Sequence, residues 1–148
     1  MTPEEAALKT IIIVRHGSDI FGRLSDCGDQ QIRALAPKLK QFVEGKSARI
    51  HSSQEERAIK SAKILGEVLS VPLRLDGGLN TPTQYGFGAA EFYGKDIDTF
   101  IIVAHHDTCE YLPEEYAKRF QDTSWHGVLG NGEACVIDLD QKKVIRVE

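Results

Sequence analysis

Two short apolar runs, Ile11-Ile12-Ile13-Val14 and Ile101-Ile102-Val103-Ala104, constrain this chain more than any other feature. Neither approaches the roughly twenty apolar residues that a helix needs to cross a bilayer. Neither alternates with polar residues, so each reads as a strand buried on both faces, the pattern of a parallel sheet covered by helices. Each is followed at once by a triplet that contains histidine: Arg15-His16-Gly17 after the first, His105-His106-Asp107 after the second. Ligands of open α/β sheets sit beyond the carboxyl ends of the strands. The two triplets are therefore where function is to be sought.

The segments between fill in an alternating pattern. Thr10–Val14 is the first strand, followed by a turn-rich stretch through Gly22 and Asp26-Cys27-Gly28. From Asp29 to Val43, Ile32, Leu35, Ala36, Leu39, Phe42 and Val43 fall at helical spacing with one apolar face. Pro37 predicts a kink or break there, because it removes an internal hydrogen bond. Arg49–His51 reads as a short strand and Gln54–Leu69 as a helix carrying Ala58, Ala62, Leu65 and Leu69. Val71–Leu75 follows as a strand. Asp76–Asp98 has no clean period and reads as loop. Thr99–Ala104 is another buried strand, Thr108–Gln121 a helix, and Glu133–Leu139 with Lys143–Val147 a hairpin. This order predicts one domain over 1–148, a three-layer α/β/α sandwich with a mostly parallel central sheet.

Composition narrows the partners. With 41% hydrophobic and 27% charged residues in 148, the chain has the balance of a soluble globular protein. A net charge of −4 offers no global field for nucleic acid or an anionic membrane. The first ten residues, with Glu4 and Glu5, show no signal-peptide pattern. Cys27, Cys109 and Cys135 are odd in number and widely spaced, and read as free thiols in the cytoplasm.

In this acidic chain the sheet edge collects cations. After His51 comes Ser52-Ser53, then Arg57-Ala58 and Ser61-Ala62. Arg15 and Arg57 would thus join His16 and a histidine of the 105–106 pair. Arginine forks match phosphate oxygens, and helix N-termini add oriented N–H groups. A histidine among such groups is kept neutral and able to attack phosphorus. From the residues alone, this is a phosphate pocket with an imidazole nucleophile.

Four motifs carry a resemblance. Arg15-His16-Gly17 resembles the RHG signature of the histidine phosphatase superfamily, the phosphoglycerate-mutase-like fold. Leu24-Ser25-x-x-Gly28-x-x-Gln31 resembles the family's helix entry, Ser53–Ala62 its Ser-x-x-x-Arg-Ala-x-x-Thr-Ala segment, and Val103-Ala104-His105 its second-histidine strand end. The resemblance runs from about Thr10 to Leu112. The small SixA-type phosphohistidine phosphatases are similar in length. The resemblance implies that His16 is a nucleophile forming a phosphohistidine intermediate. It implies that Arg15, Arg57 and His105 hold the phosphoryl group, and that no metal or organic cofactor takes part. Ser18, just past the RHG, is a further candidate phosphate donor.

The proton donor is the open point. Larger relatives place a glutamate after the third strand, where this chain has Leu75-Asp76-Gly77-Gly78. Asp107, Asp76 and Glu91 are the candidates, Asp107 first because it follows the second-histidine region. His106-Asp107 also resembles the His-Asp motif of the family's acid phosphatase branch. That leaves a choice between His105 as ligand and His106 as ligand with Asp107 as donor. None of them being the acid is the other alternative, and a site without a clear acid suits a phosphoramidate or a good leaving group. The expected substrate is therefore protein phosphohistidine or a small phosphate ester. The alternative expectation is a binding module that holds phosphorylated partners without turnover. Cys27-x5-Arg33 formally matches the loop of cysteine-dependent phosphatases, but lacks the preceding buried strand and reads as accidental.

Overall fold

The computed structural model describes residues 8–80 and 96–148. Both apolar runs are strands at the centre of one sheet: β1 (Thr10–Arg15) pairs in parallel with β6 (Thr99–Ala104), from Thr10 opposite Thr99 to Arg15 opposite Ala104. On the other side of β6 lie β4 (Ala48–Ser52) and then β5 (Leu73–Leu75), both parallel. Beyond β1 come β7 (Ala134–Asp138) and β8 (Lys143–Arg146), antiparallel, so the order is β5-β4-β6-β1-β7-β8. The sheet is thus mostly parallel, and its C-terminal hairpin supplies the antiparallel edge.

Side-chain alternation divides the core into two layers. Ile11 and Ile13 of β1, with Phe100, Ile102 and Ala104 of β6, pack beneath α3 (His106–Phe120) through Leu112 and Tyr116. Ile12 and Val14, with Ile101 and Val103, face the other way, toward α1 (Asp26–Val43) and α2 (Glu56–Leu69) through Ile32, Leu39, Ala62 and Leu65. This is the expected three-layer sandwich. The helix after β1 covers one face and the helix after β6 the other. The crevice between the carboxyl ends of β1 and β6 is therefore a topological switch point, where ligands of such sheets bind.

Several local expectations are corrected. The helix read as starting at Asp29 starts at Asp26, because Ser25 caps it by accepting from the Gly28 N–H at 3.0 Å. Pro37 does not break α1; it sits on the exposed face, where the carbonyl it leaves unbonded can meet water. The last helix begins at His106, two residues early, with His105 as its N-cap. The turn-rich stretch holds a small hairpin, β2 (Asp19–Ile20) and β3 (Arg23–Leu24). After Asp76, Gly77–Asn80 forms a 3-10 turn; the rest of the expected loop as far as residue 95 lies outside the described residues. Among the described residues no helix is long and apolar enough to cross a membrane.

Candidate functional site

His16 stands where β1 ends and is almost fully buried, 5% exposed. Its position is built from three segments. The Gly17 N–H donates to Ser61 Oγ at 3.0 Å, and that hydroxyl donates to the Arg57 carbonyl at 2.7 Å. The Ser18 N–H donates to Gln31 Oε1 at 2.9 Å, while the Ser18 carbonyl accepts from Ser25 Oγ at 2.9 Å. The Gly132 N–H reaches the carbonyls of Arg15 and His16 at 3.1 and 2.9 Å. Gly17 and Gly28 are in backbone contact: a Cβ on Gly17 would lie 2.5 Å from the Gly28 oxygen, and one on Gly28 would lie 2.1 Å from the Ser18 oxygen. The spacing of Ser25, Gly28 and Gln31 is thereby explained as cap, close approach and clamp.

The ring of His16 has a defined tautomer. Nδ1 lies 2.8 Å from the Gly17 carbonyl, which can only accept, so Nδ1 carries the proton. Nε2 is then the lone-pair nitrogen, and it accepts from Arg57 Nε at 3.1 Å. Burial, and then the charges of Arg57 and Arg15, hold the pKa below the ordinary histidine value, with the Gly17 bond and Asp19 opposing. At neutral pH this is a neutral imidazole with its nucleophilic nitrogen facing an arginine.

His105 caps the crevice from β6. Its ring centroid is 5.2 Å from that of His16, at 62°. Ser53 Oγ meets its Nε2 at 2.7 Å and Arg57 Nη2 its Nδ1 at 3.4 Å. Arginine can only donate, so Nδ1 is the acceptor and the Nε2 proton goes to Ser53. Burial, His16 and Arg57 together lower the His105 pKa to about 4. Arg15 donates from Nη1 to the Leu129 carbonyl at 3.0 Å, and its charge reaches both rings.

The structure brings Arg15, His16, Arg57 and His105 together and sets Ser18 beside them in the chain. It separates the two neighbours of His105. His106 turns outward to meet Glu110 at 3.2 Å. Asp107 is exposed and lines an open pocket of about 190 Å³ with Glu55, Arg57, Leu79, Asn80, His105 and Thr108. Asp76, a candidate proton donor from the sequence, has a side chain only 9% exposed: it accepts from the Gly78 N–H and pairs with buried His51 at 3.0 Å. Glu91 lies outside the described residues. His106, Asp107 and Glu110 have ligand atoms within 4.8 Å of one another, a set that could take a divalent cation on the outer side of the first turn of α3.

Sequence reasoning passed over three participants. Glu55 lines the pocket, 4.0 Å from Arg57 Nη1. Ser53 and Ser61 were quoted only as motif letters. Ser61 could have been singled out, because it falls on the apolar face of α2 with Ala58, Ala62 and Leu65; Ser53, among polar neighbours, carried no such signal. Cys109 and Cys135 are buried, and burial pushes both thiols up, Cys135 to about 12. Cys27 sits in the first turn of α1, and Arg33 pairs with Asp29 at 2.6 Å, so they form no cradle.

Residues 11–81 match the family model of the histidine phosphatase superfamily (branch 1). No curated protein sequence matches significantly. The structure is similar to that of a candidate phosphohistidine phosphatase, SixA, from Agrobacterium tumefaciens, with 14% identity and a TM-score of 0.73, covering 100% of this chain and 98% of that one. It is similar to the protein histidine phosphatase SixA complexed with tungstate, with 20% identity and a TM-score of 0.72, covering 93% of both chains. The alpha-ribazole phosphatase from Shigella flexneri gives 15% identity and a TM-score of 0.61, covering 93% of this chain and 94% of that one. At such identities the likeness is one of fold, and the fold is phosphoglycerate-mutase-like.

Proposed function

We propose that this chain is a histidine phosphatase that uses His16 as a covalent nucleophile, acting on protein phosphohistidine or a small phosphate ester. One observation carries the reading: a neutral imidazole, its Nδ1 proton tied to the Gly17 carbonyl, aims Nε2 at the Arg57 guanidinium 3.1 Å away. His16 Nε2 and the Arg57 guanidinium together mark the place a phosphoryl group would take. When one enters, the Arg57 N–H groups turn from the ring to phosphoryl oxygens, and Nε2 is freed for in-line attack.

Nε2 then bonds to phosphorus as the bond to the leaving oxygen or nitrogen breaks. The leaving group takes a proton from Asp107 or from solvent. Arg15, Arg57 and His105 hold the charge on the equatorial oxygens, and Ser18 is a further donor at the same edge. Water next attacks phosphorus on the opposite side from Nε2, its proton passes to the Asp107 carboxylate, and phosphate leaves with the His16 lone pair restored. The cycle draws only on side chains and water, so turnover is expected to persist with chelator present. Asp107 stands exposed at the pocket rim and is not buried over the reacting atoms, which favours a phosphoramidate or a good leaving group over a poor alkoxide.

The test is turnover of an aryl phosphate and of a phosphohistidine peptide in EDTA, with acid-labile, alkali-stable label trapped on His16. Undiminished turnover by His16→Ala overturns the nucleophile. Phosphate binding without turnover on either substrate identifies a binding module instead.

A further inference from the structure

The β2–β3 hairpin stands beside the site and supplies none of the side chains that line its pocket. Its two-residue turn, Phe21-Gly22, has φ of 51° and 82°, both in the left-handed region that type I′ turns require. Asparagine, aspartate or glycine normally takes the first of these positions; a bulky side chain there is strained. Phe21 is nonetheless there, 101% exposed, with Ile20 at 62% beside it. The other large exposed apolar residues among those described, Leu75, Val128 and Ile145, are single and scattered. Folding gives no reason for an aromatic residue at this turn.

The base of the hairpin is fixed. Leu24 packs against the α1–α2 core layer, Asp19 Oδ2 accepts from the Gly22 N–H at 3.0 Å, and Arg23 Nε lies 3.8 Å from Glu56. The turn also reaches the pocket: a Cβ on Gly22 would lie 3.7 Å from Arg57 Nη1. Around the buried cations the mouth is acidic. Asp19 acts on His16, Glu55 acts on His105, and Glu55 and Asp107 line the pocket itself. A second phosphate on the substrate would face these carboxylates, whereas lysine or arginine next to the phosphorylated residue would be attracted by them.

We infer that Ile20 and Phe21 are the docking contact for the polypeptide that carries the phosphoryl group, and that this polypeptide has apolar and basic residues flanking the phosphorylated side chain. The inference rests on the phosphatase reading and specifies its substrate. An apolar anchor beside a charged pocket is the arrangement in which a few aromatic residues dominate a protein contact.

The test separates docking from chemistry. Docking is read as the Kd, by fluorescence anisotropy, of labelled peptides bearing a non-hydrolysable phosphohistidine analogue with Leu/Lys, Gly/Ser or Glu flanks. Chemistry is read as aryl phosphate turnover. Wild type should bind the Leu/Lys peptide about tenfold more tightly than the Glu peptide. Phe21→Asn creates an Asn-Gly turn, which suits type I′ geometry, so its melting temperature should rise or hold. The same variant should lose about tenfold in Leu/Lys peptide affinity while turning over aryl phosphate like wild type. Equal affinity of Phe21→Asn and wild type, or preference for Glu flanks, overturns the docking role. A parallel loss of aryl phosphate turnover overturns it as well, since the hairpin would then be supporting the pocket. Absence of aryl phosphate turnover by wild type counts against the phosphatase reading alone, because the affinities are measured without turnover.

Discussion

Two strand-end histidines, His16 after β1 and His51 within β4, look alike in sequence and differ in every neighbour. Both are buried, and burial lowers the pKa of both. His51 is held by a carboxylate, Asp76, at 3.0 Å, which opposes that shift, and its ring packs against Phe100 at 4.8 Å. His16 instead faces Arg57 on its lone-pair nitrogen and a backbone carbonyl on the other. A histidine–carboxylate pair is the arrangement most often read as catalytic, yet here it joins β4 to the turn after β5 and lines no part of the open pocket. Surroundings of cations, without a carboxylate on Nδ1, suit an imidazole that must accept a phosphoryl dianion.

The sharpest way to break this comparison is to remove each ring. His16→Ala should lose about a thousandfold or more in kcat/KM on an aryl phosphate, with thermal stability close to wild type. His105→Ala should lose about a hundredfold, whereas His106→Ala, whose ring faces Glu110, should stay within about twofold. If His106→Ala is the damaging variant, the phosphate ligand is the wrong histidine. His51→Ala should reverse the pattern: a loss of about 3 kcal/mol in urea unfolding, with turnover per folded molecule little changed.

The smallest effect is in pH. The folded pKa values of His16 and His105 lie below 6.5, that of His105 at about 4. The unfolded chain therefore takes up protons first as pH falls. Stability from these groups is fully present above pH 6.5 and declines as pH drops toward 4. The acid limb of kcat/KM, which reports the neutral nucleophile, should lie below the ordinary histidine value. An acid limb at or above 6.5 would remove the claim that burial and arginines keep the ring neutral.

The fold was legible because β1 and β6 are runs of β-branched residues that no other element explains. The first turn of α1 was not, since Asp26-Cys27-Gly28 has turn composition. Gly28 is there for backbone contact with Gly17 and Ser18, which only the folded structure reveals. The hairpin at Asp19–Leu24 escaped notice for the opposite reason: Phe21 is the wrong residue for its turn. Of the site, the strand-end triplets and Arg57 were visible through spacing along the chain. The pocket role of Glu55 and the burial of Asp76 depend on which way a helix cap and a 3-10 turn face, and one-dimensional spacing does not encode that.

The pairing of Arg15 with Ala104 also sets when this site can exist. β1 is translated well before its sheet neighbours β6 and β7. Contacts so distant in sequence form late and slowly. A growing chain carries the Arg15-His16-Gly17 triplet long before it has the crevice that shapes it, so the cluster of Arg15, His16, Arg57 and His105 cannot form until β6 has been made. Recovery of turnover during refolding should accordingly coincide with the last phase of sheet closure, making the site a reporter of completed assembly.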